Sequence, residues 1–139
     1  MVDPRSHEVL QWLVKATHDV ASAERLLNIA PPLRDTAVYH CQQAAEKALK
    51  AYLTLNDIRF EKMHDLNVLM GQCRKVDEEF GKIVEAGIIL TPYATAFRYP
   101  GDVLEPTRED ADEALRLAKM VVSLVQNKMP EHLKNSMQP

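Results

Sequence analysis

Apolar residues in this chain recur three and four positions apart over three long stretches, and no window alternates apolar with polar over the length of a strand. That periodicity favours helices over sheet. The expected fold class is therefore all-α, an up-and-down antiparallel bundle of about five helices. Val9, Trp12, Leu13, Ala16, Val20, Ala23, Leu26 and Leu27 form the stripe of a first helix, expected from Ser6 as its cap to Ile29. Ala30-Pro31-Pro32 ends it, because prolines withhold backbone donors. A second helix is expected from Leu33 to Leu55, with Ala37, Val38, Cys41, Ala44, Ala45, Ala48, Leu49 and Tyr52 inward. Tyr39, Gln43, Glu46 and Lys50 fall on the opposite, solvated face, and His40 and Lys47 share one flank.

Shorter helices follow. One is expected from Asp65 to Lys75, with Leu66, Leu69, Met70 and Cys73 inward, and another after Asp77, with Phe80, Ile83 and Val84 inward. Thr91-Pro92 opens a brief helical stretch to Arg98, stopped by Pro100-Gly101. The last helix is expected from Thr107 to Lys128, with Thr107 and Asp110 as a capping box and Ala111, Ala114, Leu115, Ala118, Val121, Val122 and Val125 buried. Residues 1–129 read as a single domain and 130–139 as a loose tail.

The rest of the sequence removes function classes. The net charge is −3, so any site for nucleic acid must be a local patch rather than a basic surface. Residues 33–75 carry seven basic and five acidic side chains, against seven and eleven over 76–139. The anion-facing region is therefore expected on the second helix and the loop after it. No apolar run is long enough to span a bilayer, and the first residues have no apolar signal region. The expected location is the cytoplasm. Cys41 and Cys73 form no Cys-x-x-Cys pair and read as buried, reduced thiols. With four glycines in the chain, no glycine-rich phosphate loop exists.

Three clusters carry possible chemistry. His64-Asp65, with His40 and Asp110 or Asp112, has the residue types of a metal-dependent phosphohydrolase of the HD type. The alternative is that Asp65 caps the third helix; His18-Asp19 in mid-helix shows how readily the doublet arises. Gln43, Glu46, Lys47 and Lys50 form a face for phosphate or for another subunit. Phe97-Arg98-Tyr99-Pro100 places an arginine, which holds phosphate through two parallel hydrogen bonds, beside a tyrosine that stacks on a base.

In order along the chain, these segments resemble the HEPN family. Trp12, Asp19, Ala23 and Leu27 are similar to its opening helix, and His40, Gln43, Glu46, Lys47, Lys50 and Leu53 to its most recognisable segment. Met63-His64-Asp65-Leu66 resembles its Thr-His-Asp-Leu turn, with Met63 for Thr, and Phe97-Arg98-Tyr99-Pro100 its Ala-Arg-Tyr-Pro element, with Phe97 for Ala. The similarity runs over about residues 8–125. It implies a helical bundle, usually a homodimer, associated with a separate minimal nucleotidyltransferase as in toxin–antitoxin pairs, and a nucleotide- or RNA-binding role with no cofactor and no metal. Lys47, Lys50 and Arg98 would then meet phosphate, Tyr99 would stack, and His64 and Asp65 would shape the same groove. Many members are metal-independent ribonucleases using an Arg followed four to six residues later by a His. Here no His follows Arg98 before His132, so enzymatic activity is not expected unless His64 replaces it, with Arg98 and His64 as the catalytic candidates.

Overall fold

The structure is a computed structural model that describes residues 3–101 and 104–137. It is all helical, with six α-helices and no strand among the described residues. The helices are α1 (Pro4–Asn28), α2 (Arg34–Leu55), α3 (Leu66–Val76), α4 (Val84–Leu90), α5 (Arg108–Asn127) and α6 (Glu131–Met137). Two 3₁₀ turns, Glu78–Ile83 and Thr91–Ala94, flank α4. The expected all-α class holds. The region after Asp77 begins as 3₁₀ rather than α, and the stretch opened at Thr91 stays helical only to Ala94.

Helix starts follow side chains that satisfy free backbone donors. Asp3, not Ser6, caps α1: its carboxylate accepts Ser6 N–H at 2.8 Å, and Pro4 occupies the first turn. Asp65 caps α3 by accepting Asn67 N–H at 2.9 Å. Thr107 and Asp110 form the reciprocal capping box on α5. Thr107→Ala is expected to cost about 1 kcal/mol, read as a lower denaturation midpoint at unchanged slope. Thr91 does not cap its own turn. Its hydroxyl donates to Gly87 O at 2.6 Å and accepts Leu66 N–H at 3.1 Å, tying α4 to the start of α3.

The centre of the bundle is α2, which packs most extensively on α1, then on α5, and also on α3, α4 and the Thr91–Ala94 turn. Its alanines, with Ala16 and Ala23 of α1, are fully buried, and small side chains let helices approach closely. Because several elements pack on α2, the face expected to be solvated is covered in part: Glu46 and Lys50 are buried, as is Gln42 beside them, while Tyr39 and Gln43 are half-buried. On α5, Leu117 faces the core and Leu115 is only half-buried.

Residues after Pro130 do not form the expected loose tail, at least to Met137. Pro130 O accepts Leu133 N–H and Lys134 N–H, so the proline starts α6 rather than merely ending α5. Leu133 is buried in the same core as Val9 and Val125. Residues 138 and 139 lie outside the described part.

Candidate functional site

Two polar clusters lie along α2. In the first, Asp19 of α1 is a mid-helix carboxylate with a side chain 10% exposed. Such a group needs charged or hydrogen-bonding partners. It has two: His40 Nδ1–H donates to Oδ1 at 2.7 Å, and Lys47 Nζ donates to Oδ2 at 2.6 Å. His40 and Lys47 are two turns apart on one flank of α2. Side chains on a helix lean toward its N-terminus, which lets the long Lys47 reach the carboxylate that His40 also binds.

The aromatic ring beside His40 is Tyr39, at 5.6 Å between centroids. The Arg98 guanidinium lies over Tyr39, with Cζ at 3.9 Å from the ring centre, a cation–π contact. Arg98 Nη1 donates to Ala94 O at 2.8 Å, which fixes one edge of the fork. No described ion pair involves Arg98, and the residue is exposed. Arg98, Tyr39 and His40, with Asp35 and Thr36 from the first turn of α2, line a cleft of about 280 Å³. Tyr99 is exposed, with its ring 5.9 Å from the guanidinium.

The second cluster is internal. Glu46 Oε2 accepts Lys50 Nζ at 3.0 Å, and Oε1 accepts His64 Nδ1–H at 2.7 Å and Gln42 Nε2 at 3.1 Å. Gln42 also donates to His64 O at 3.0 Å, pinning the α2–α3 connection. Burial pushes the Glu46 carboxyl up, but the hydrogen bonds from His64, Lys50 and Gln42 outweigh it and its pKa is lowered. The Lys50 ammonium sits 5.6 Å from the Trp12 ring centre and 5.4 Å from that of Phe60.

The structure thus divides the residues singled out in the sequence. Arg98 and Tyr99 stand at the cleft. Lys47 is ion-paired with Asp19, Lys50 is buried against Glu46, and Asp65 caps α3. His64 is held by Glu46 and does not line the Arg98 cleft, where the imidazole is His40. His40, His64 and Asp110 are each committed to a different partner, and among the described residues no group of three His, Cys, Asp or Glu is arranged to hold a metal ion. The ligand set of an HD-type phosphohydrolase is therefore not assembled. Cys41 and Cys73 are buried, which pushes both thiols up to about 12. Sequence reasoning missed Asp19 and Tyr39; the shared flank of His40 and Lys47 was the available signal. No described helix is long and apolar enough to cross a membrane.

Comparisons with known proteins agree with this architecture. The model of the HEPN domain family matches residues 9–128. A Methanocaldococcus jannaschii protein named "Putative toxin MJ1304" is 30% identical, over 81% of this chain and 86% of its own. The crystal structure of TT1696 from Thermus thermophilus superposes with a TM-score of 0.75 at 28% identity, covering 87% of this chain and 98% of the other. ST0689, an archaeal HEPN homologue, superposes with a TM-score of 0.66 at 24% identity, over 86% and 96% of the two chains, a likeness of fold.

Proposed function

The chain belongs to the HEPN domain family, and on that premise we propose that it is a toxin-like HEPN protein that binds RNA through the Arg98 cleft. The observation that carries this reading is the Arg98 guanidinium, stacked on Tyr39 and engaged in no described ion pair. A guanidinium anchored by one edge keeps further N–H groups for a phosphate oxygen. The exposed Tyr99 beside it adds an aromatic surface for an unstacked base. Lys47 and Lys50 support the site from within, by fixing Asp19 and Glu46, rather than by meeting phosphate.

The similarity to a protein named as a toxin supports a place in a toxin–antitoxin-like pair. In this reading the partner is a minimal nucleotidyltransferase, the HEPN chain is a homodimer, and both act in the cytoplasm. We also take α6 as part of the same domain, since Leu133 completes its core.

Fluorescence anisotropy with single-stranded RNA tests the cleft. A hydrogen-bonded contact to a charged group contributes about 1.5–3 kcal/mol. Arg98→Ala is therefore expected to weaken binding roughly 10- to 100-fold and to reduce the log-log salt slope by about 0.7, with the melting temperature unchanged. Equal affinity in both proteins would sink the reading. A lowered melting temperature would show that Arg98 serves the fold instead.

A further inference from the structure

Resting on the reading of the Arg98 cleft as an RNA site, we propose that the cleft selects guanine in the strand, and that the Asp35 carboxylate is the residue that reads the edge of the base. Asp35 and Arg98 line the same cleft with opposite charges, yet they form no ion pair among the described residues. Each is engaged elsewhere. Arg98 lies over Tyr39 and donates to Ala94 O. Asp35 Oδ1 accepts Thr36 N–H at 2.8 Å and the Thr36 hydroxyl at 3.3 Å, while Oδ2 accepts from none of the described residues. A cation and a carboxylate held apart across one cleft make a place for a ligand with donors at one end and negative charge at the other.

Helix geometry brings the two charges within reach of one nucleotide. Asp35 and Tyr39 are four residues apart on α2 and so neighbours on one face. Side chains lean toward a helix's N-terminus, which carries Tyr39 toward Asp35. The guanidinium carbon stands 3.9 Å from the centre of the Tyr39 ring, so Tyr39 sets the arginine on the carboxylate's side of the helix. Arg98 is exposed, and the face of its plane turned away from Tyr39 is open to a base. The cleft holds about 280 Å³. That is near the lower end for ligand clefts, roughly 300 Å³ upward, and suits one unpaired base.

Edge chemistry decides which base. Guanine alone among the four RNA bases presents two adjacent donors on its pairing edge, the ring N1–H and the exocyclic amine. A carboxylate accepts both at once. Oδ2 takes one, and the other falls toward Oδ1, where the long contact from the Thr36 hydroxyl is the one displaced. Adenine and cytosine set a ring-nitrogen lone pair beside their amine, and uracil flanks its N–H with two carbonyls. Each of these would aim an acceptor at a carboxylate. Asp35 also repels phosphate from its own end of the cleft, which leaves the phosphate to Arg98 and orients the nucleotide.

The test is fluorescence anisotropy on the full chain with short single-stranded RNAs, otherwise all uridine, whose central base is guanine, hypoxanthine, adenine, cytosine or uracil. Guanine is expected to bind tightest, by roughly 5- to 150-fold, the range for one bidentate contact to a base. Hypoxanthine, which keeps N1–H and lacks the amine, is expected to fall between; it probes the contact from the ligand side without touching the fold. Asp35→Asn keeps an oxygen for Thr36 N–H. It is expected to bring guanine down to the level of the other bases, whereas a carboxylate that served only the fold would not move the ratio between bases. Guanosine 5′-monophosphate is expected to displace the labelled strand better than adenosine 5′-monophosphate. That displacement without any preference among the strands assigns the cleft to a free nucleotide and overturns the reading of a strand. Equal affinity for all five strands and both nucleotides overturns the inference and leaves the Arg98 binding reading standing, as does a guanine preference that survives Asp35→Asn. Strands that do not bind at all remove both.

Discussion

Glu46→Ala is expected to lower the unfolding free energy by about 3–5 kcal/mol, the range for leaving one partner of a buried ion pair behind. Glu46 is 4% exposed and receives Lys50, His64 and Gln42 on its two oxygens. Without it, the Lys50 ammonium, itself in a residue 6% exposed, keeps only the faces of Trp12 and Phe60. The same change unclips His64 and so the connection from α2 to α3. Urea unfolding measures the effect as a lower midpoint. The double variant Glu46→Leu with Lys50→Met is expected to recover most of the loss, because an apolar pair of similar volume has no charge to desolvate. If the single change is as benign as the double, the pair is not an energetic keystone.

The same carboxylate makes stability depend on pH. Its folded pKa lies below the ordinary value of 4.5. Its contribution is therefore fully present above the unfolded pKa and is lost as pH falls through the lowered folded value. Glu46→Gln is expected to flatten this part of the acid limb in a plot of melting temperature against pH.

Phe80→Ala is expected to cost about 3–5 kcal/mol, the range for deleting a buried aromatic side chain. Phe80 has no exposed surface, tilts against Tyr52 at 4.7 Å between centroids, and carries the Lys128 ammonium 5.7 Å from its ring centre. It is the anchor by which the Glu78–Ile83 turn grips α2 and the end of α5. Lys128 also binds Asp77 at 2.6 Å and Glu79 at 2.7 Å, so the ring and the ion pairs hold the same turn. Calorimetry on the variant checks the loss, and RNA binding well below its melting temperature should be unchanged because the cleft lies on other residues.

The three long helices are legible because an apolar stripe over twenty or so residues has few other uses, and the capping box of α5 because Thr107 and Asp110 stand three apart before it. Burial on α2 is not legible in the same way. Spacing assigns that helix one buried face, but burial depends on how many neighbours a helix has, and α2 packs on α1, α3, α4, α5 and the Thr91–Ala94 turn. Gln42, Glu46 and Lys50 are thus polar by residue type and interior by position. Asp19 looks like any mid-helix aspartate until α1 and α2 come into register and place it between His40 and Lys47. Arg98 is visible as a candidate, yet the sequence points for its companion to the same segment or to His64, whereas the fold stacks it on Tyr39 of α2 and sets His40 in the wall of the same cleft. Pro130 reads as a stop, although a proline just before a helix can still accept its first N–H groups, as Pro130 O does from Leu133 and Lys134.

The two halves of the cleft are held very differently. His40, Tyr39 and Asp19 sit on the paired long helices, while Arg98 is delivered by the irregular segment after Ala94, just past Phe97 with its left-handed φ of 68°. Changes in that segment can retune or erase phosphate capture while the imidazole frame stays folded. Descendants of such a chain can therefore lose or regain their hold on a phosphate by altering a surface loop, with little need to rebuild the interior.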